Sequence, residues 1–355
     1  MELIHDGEKA ISEKIRAAKA ANKSTVEITG DYEIASPVIL PSHITLILRD
    51  CYLRMKDGGY SQMFVNEHWN DPSVTDTDIH LVGVGRAVLD GGEYNGLSEK
   101  NALTEGRPEI YFNNILLFAG VRDFSVTGIA VRNQRWWALN FIGCSQGLLR
   151  DIDFDADATR IDPVTGERVR GLKRGDYAST YVKNADGIDL RAGCHDILIE
   201  NVTGFTEDDT VALTALWNNM EKHFLGEDFP EDRRSIYNVT IRNIRSSAYC
   251  TIVRLLNQGG TKLYNILVDG VFDTSAEDDR LDTGLYAVRL GDRRSYGGRA
   301  ATREETRAIV IRNVFGRSQA VVQLSGSAGE LSVENIHAFG DGTVPVDDRR
   351  TEVTE

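Results

Sequence analysis

The sequence predicts an all-β solenoid, a parallel β-helix closed at its N-terminal end by a capping helix. Three observations carry that reading. From Thr25 onward apolar residues alternate in short runs such as TVEIT, HITLIL, IHLVGV and NILLF, broken by Gly, Pro, Asn and Asp, as in half-buried strands joined by tight turns. A pattern of apolar, any, apolar, any, then Asn, Asp or Gly, then apolar recurs as FSVTGI, GLLRDI, ILIENV, VTIRNI, ILVDGV, IVIRNV and LSVENI. Its fifth position is Gly128, Asp151, Asn201, Asn243, Gly270, Asn313 and Asn335 in turn. All are residue types that tolerate the left-handed backbone a sharp corner between strands requires.

Residues 6–22 read as a helix, with Asp6 as candidate N-cap and Ile11, Ile15 and Ala18 on one face. Such a helix covers apolar interior that an open solenoid end would expose. The shortest steps between repeats are 22 to 27 residues, within the range of solenoid turns. The longer steps are one turn enlarged by an insertion, or two turns with one degraded. Insertions are expected at 157–179, 217–234 and 292–305, where the chain is polar and rich in glycine and charge. No linker divides residues 1–355, so one domain is expected, ending in a polar tail at 340–355 with little to bury.

A net charge of −14 disfavours nucleic acid and anionic membrane surfaces as partners, and no run of residues is apolar and long enough to span a bilayer. The chain begins without a signal-peptide pattern, so a cytoplasmic location is expected. Cys51, Cys144, Cys194 and Cys250 are far apart and show no metal-ligand spacing, which suits reduced, mostly buried thiols. No metal or cofactor is expected.

The candidate site lies in NADGIDLRAGCHDILIENVTGFTEDDTVAL. Asp186 stands one short repeat ahead of the pair Asp208 and Asp209. In a parallel β-helix, equivalent positions of successive turns lie one strand spacing apart, about 4.8 Å, so the three carboxylates should stack on one outer face. Like charges held that close cannot all ionise, and one carboxyl should keep its proton near neutral pH while others stay charged. That is the requirement for a general acid working beside a general base. A single outward Asp would more simply be a solvated surface group; three at one-turn spacing argue for chemistry.

Asn184-Ala185-Asp186-Gly187-Ile188-Asp189 followed by Glu207-Asp208-Asp209 resembles the polygalacturonase-like glycoside hydrolase family, whose members are right-handed parallel β-helices. The similarity extends upstream to Arg-Trp-Trp, Cys144 and the strand LLRDIDFD, and back to SPVILPSHITLIL. The resemblance implies hydrolysis of a glycosidic bond with inversion, Asp208 acting as general acid while Asp186 and Asp209 hold and activate water. An acid and base in an inverting enzyme should be far enough apart to admit that water.

The chain departs from the family at two places. Tyr249, in Ala248-Tyr249-Cys250, stands where the family has a histidine, and Gly291, in Arg289-Leu290-Gly291, where it has a lysine. Because that lysine joins an arginine on the uronate carboxylate, poor cleavage of unmodified polygalacturonate is expected, with Arg289 still contacting the sugar. Arg254 and Lys183 could compensate, or be surface charges. With Asn184, Tyr249 and Arg289 they complete the candidate substrate-binding set, together with Trp217, which opens an insertion that would wall the cleft. Of Trp136 and Trp137, one should be core and the other exposed. His195 and His223 are expected in local hydrogen bonding.

The resulting expectation is a glycoside hydrolase acting on a pectin-type or related oligosaccharide, not necessarily on galacturonic acid, since a neutral sugar or a uronate bound differently also fits, and exo-acting because of the long flanking loops. Its rivals are a polysaccharide lyase on the same fold, which would need calcium and a basic residue, and a non-catalytic carbohydrate-binding solenoid. Oligomeric state is not legible.

Overall fold

The computed structural model describes residues 3–351 except 60, 93–112, 135, 157–158, 162–167, 171–184, 278–283, 293–295 and 297–298. Two ten-stranded parallel sheets wind as a right-handed β-helix. Long strands run from Thr25–Ile34 to Gly329–Ala338 in one sheet, and short strands from Val38–Leu40 to Val344–Arg350 in the other. The chain alternates between the sheets, so each pair of strands closes one turn.

The seven repeat positions all sit at left-handed φ, from 53° at Asn335 to 82° at Gly270, in the middle of long strands. There the backbone turns a corner without leaving the sheet. Asn201 Nδ2 donates to Asp151 Oδ1 at 2.9 Å and Asn243 Nδ2 to Asn201 Oδ1 at 2.7 Å, while Asn335 donates to Asn313 at 2.6 Å. Strands joined by the longest sequence steps are adjacent in the sheet, Ile199 pairing with both Leu149 and Ile241. Each long step is therefore a single turn carrying an insertion.

Period-two alternation sends one set of side chains inward. Leu149, Ile199, Ile241, Val268 and Ile311 form a fully buried column on the long-strand side. Leu190, Leu213, Leu255, Leu290 and Leu324 form another on the short-strand side. Burying each such side chain stabilises the fold by roughly 1.5–3 kcal/mol, and the stacked columns keep every turn in register.

Helix α1, Gly7–Ala20, buries Ile11 and Ile15 against the first turn, with Ala18 packed on the core. Asp6 occupies the N-cap position but makes no side-chain capping bond; its carbonyl accepts from the Lys9 amide instead. The polar C-terminal segment nevertheless joins the solenoid. Val344–Arg350 pairs in parallel with Ala320–Gly326 as the last rung of the short-strand sheet, because backbone bonding to one neighbour needs no apolar side chains. All four cysteines are free thiols, with Cys51, Cys144 and Cys194 buried and Cys250 partly exposed.

Candidate active site

The site forms on the outer face of the short-strand sheet. Asp189, Ala212, Arg254 and Arg289 occupy one register position on four successive strands, and Arg191, Thr214 and Leu256 another. Just before these strands, the Gly187 amide donates to the Asp209 carbonyl at 2.9 Å and the Ile188 amide to the Thr210 carbonyl at 3.0 Å. Asp186 is thereby level with Asp209, and Asp208 is offset by one residue. The chain passes so close here that a Cβ on Gly187 would lie 2.5 Å from the Thr210 carbonyl oxygen. Glu207 Oε2 accepts from the Ala185 amide at 2.8 Å and ties the two turns together.

These residues line a cleft of about 940 Å³. The insertion after Trp217 supplies one wall as helix α2, Asn219–Leu225, whose Met220, Phe224 and Leu225 pack on Val65, Leu117 and Ile142. Glu221 fixes that wall to the floor. Its carboxylate accepts from Arg191 Nε at 2.7 Å and from the Asn218 amide at 3.0 Å, and both ion-pair partners are buried. The Arg191 guanidinium also lies 4.4 Å over the Trp137 ring.

Asp186, Asp208 and Asp209 are 5 %, 5 % and 9 % exposed. They lie deep in the cleft rather than on the solvent-facing surface expected from sequence, because α2 raises a wall beside them. Burial pushes Asp186 well above the usual carboxylate range, with Asp189, Asp208 and Asp209 adding to it; the Asp209 amide, donating to Asp186 Oδ1 at 3.0 Å, opposes. Burial likewise pushes Asp189 up to about 8, against the pull of Arg191, while Asp209 raises it further. Asp209 is also raised by burial, but Arg254, Thr251, Arg289 and Cys250 all favour its charged form. Burial thus raises all three of these carboxyls, and only Asp209 has both arginines opposing the shift.

The other sequence-predicted residues divide. Arg254 and Arg289 line the cleft side by side. Arg254 is buried rather than a surface charge, donating to the Gly291 carbonyl at 2.8 Å and to Asp292 at 3.2 Å. Arg289 Nε is shielded and has no hydrogen-bond partner. Tyr249 does not line the cleft; it is 1 % exposed and packs with Ala156 and Phe205 in a cluster apart from the main core. Trp217 also misses it, stacked on Phe229 at 5.9 Å with Arg234 4.0 Å over its ring. Half-buried Trp137 lines the cleft, as do Phe224 and Tyr296, with Trp136 buried. Lys183 and Asn184 lie outside the described residues.

Gly291 sits at φ 81°, and a Cβ there would lie 2.0 Å from the Ser325 carbonyl oxygen. A lysine there cannot be accommodated without moving that turn. Reasoning from sequence passed over Asp189, Arg191, Glu221 and Cys250. Asp189 lies inside the motif that begins at Asn184 without having been singled out, and the Arg191–Glu221 pair closes across 30 residues of chain, beyond any local pattern. The Asp208 and Asp209 carboxylates bring one oxygen each within 4.8 Å of the other, closer than the roughly 6.5–9.5 Å usual between the acid and base of an inverting enzyme.

Comparison with known proteins adds sequence to this geometry. The family model described as Glycosyl hydrolases family 28 matches residues 57–224, a span that contains Asp186, Asp189, Asp208, Asp209 and Glu221 and ends before Arg254 and Arg289. Over that span the sequence is similar to the family; the match covers 168 of the 355 residues. That match supports a glycosidase on the β-helix. Among curated proteins no sequence matches. Among solved structures, an iota-carrageenase complexed to iota-carrageenan fragments is 11% identical, with a TM-score of 0.58 covering 98% of this chain and 86% of that one. The exopolygalacturonase of Thermotoga maritima is 12% identical, with a TM-score of 0.48 covering 96% and 86%. At such identities the carrageenase likeness establishes the fold alone, and the lower overlap with the exopolygalacturonase carries no further argument.

Proposed function

We propose that this protein is an inverting, exo-acting glycoside hydrolase that removes a terminal uronate from pectin-type oligosaccharides. The observation that carries the reading is the buried cluster Asp186, Asp189, Asp208 and Asp209 lining one cleft together with Arg254 and Arg289. Asp208 is the general acid, protonating the leaving oxygen. Asp209, whose charged form is favoured by both arginines, is the base that activates water, and Asp186 holds that water in place. Inversion rests on the family match, against the short approach of Asp208 to Asp209.

Exo action is supported by the α2 wall anchored through Arg191 and Glu221, which favours a chain end over an extended polymer. The uronate is supported by the arginines. Burial and then Arg289 beside it hold Arg254 below its usual pKa, so a carboxylate between the two would relieve a buried like-charge contact. On this reading Arg254 supplies the second cation that the sequence at Gly291 lacks, the compensation the sequence left open beside the expected poor cleavage of polygalacturonate.

The test compares initial rates on oligogalacturonides and on neutral oligosaccharides of equal length, for the native protein and for Arg289→Ala. Selective cleavage of the uronate substrate, reduced about ten- to hundredfold in the variant, is expected. Faster cleavage of the neutral set by the native protein would overturn the uronate assignment. Proton NMR of the newly released anomer decides inversion.

A further inference from the structure

Cys250 stands in the cleft at the turn that follows the carboxylate pair. One ligand atom each from Asp208, Asp209 and Cys250 lies within 4.8 Å of the others, and all three residues line the cavity. Asp209 is nine-tenths buried and its Oδ1 has no hydrogen-bond partner. A buried carboxylate oxygen left without a donor costs about 1–3 kcal/mol or more, which a cation would remove. The contrasting group Glu67, His68 and Asp76 shows what a satisfied cluster looks like. There Asp76 already accepts from Ser42, Asn66 and the His68 amide and contacts the His68 ring at 2.8 Å, leaving no oxygen for a metal.

We propose that Asp208, Asp209 and Cys250 form a binding site for a thiophilic divalent cation of the zinc class, and that an occupied site blocks the carboxylates from acting on a glycan. Two carboxylate oxygens and one thiolate are a ligand set that zinc accepts in tetrahedral geometry, with the fourth position open to the cleft. The sulfur selects against magnesium and calcium, which prefer oxygen ligands. Binding converts the Cys250 thiol to a thiolate and releases its proton to solvent. A residue at the 250 position without sulfur would leave two carboxylates, too few ligands to hold zinc tightly. The blocking claim rests on the function proposed above; the binding claim does not.

The experiment treats the full-length protein with chelator, removes the chelator, and titrates with Co²⁺ and Zn²⁺ while following thiolate-to-cobalt charge-transfer absorbance and heat of binding. One equivalent with a thiolate signature is expected, displaced by Zn²⁺. Affinity should fall at least about tenfold in Cys250→Ser and in Asp209→Asn, and Mg²⁺ should not compete. Circular dichroism checks that each variant folds. Absence of saturable binding, or binding of equal strength in Cys250→Ser, overturns the site. Cysteine-dependent binding that leaves oligogalacturonide cleavage unaffected overturns the blocking claim. If the metal-free protein cleaves no glycan, the function fails while the titration still decides the site.

Discussion

On the long-strand sheet Asn243 donates to Asn201 and Asn201 to Asp151, so the polar corner of one turn is satisfied by the next. On the short-strand sheet the same turns carry Asp189 and Asp209, each with a shielded oxygen that has no partner, beside an Arg289 Nε in the same condition. The first arrangement stabilises the stack, whereas the second costs stability and makes sense where a ligand supplies the missing partners. The difference teaches where scaffold ends and site begins, even though both faces obey one repeat.

The largest expected effect separates the faces by activity. Asp208→Asn should lower kcat about 10²- to 10⁴-fold on an oligogalacturonide, with thermal stability nearly unchanged, because the amide is close in size to the carboxyl it replaces. Near-normal turnover would rule Asp208 out as the acid. Next comes the cleft wall. Glu221→Ala strands Arg191 in a buried position and should cost roughly 3–5 kcal/mol in denaturant unfolding. An exposed pair would lose far less, so a change below about 1 kcal/mol would show that α2 is not anchored as described.

Smaller effects belong to the scaffold. Asn243→Val places a β-branched side chain at φ 55° and should cost about 1–2 kcal/mol, with kcat per folded molecule unchanged. A drop in kcat would mean that the corner ladder and the cleft are coupled.

The two faces should also respond to pH with opposite sign. Asp189 has its folded pKa raised to about 8 by burial, so the stability linked to its protonated form is complete below its unfolded value near 4 and is lost as pH rises toward 8. On the outer ladder, Asp269 is held below its usual pKa by its hydrogen bond to Arg312; its contribution is present above the unfolded value and is lost as pH falls through the lower folded one. Asp189→Asn in chelator-treated protein should flatten the decline in melting temperature between about pH 4 and 8. An unchanged slope would place the relevant titration elsewhere.

Much of the fold was legible because its signal is local and repeated. Asn201, Asn243, Asn313 and Asn335 mark corners in sequence as they do in space, and alternation marks the leucine columns. The last rung was missed because Val344–Arg350 has only two apolar residues and needs a neighbour for its backbone alone. Of the site, Asp186, Asp208 and Asp209 could be read from their spacing, although their burial could not, since it depends on an insertion folding into α2. Tyr249 and Trp217 were placed in the cleft on position in the chain, whereas packing against Phe205 and Phe229 decides where their rings go.

The central claim is that the carboxylate cluster hydrolyses a glycosidic bond. Its most direct test incubates the metal-free native protein with a defined oligogalacturonide and follows the products by reducing-end assay and by ultraviolet absorbance. The account predicts one new reducing end per bond broken, release of single terminal residues and no absorbing unsaturated sugar. An unsaturated product, or no turnover on any oligosaccharide that the protein binds, would contradict it.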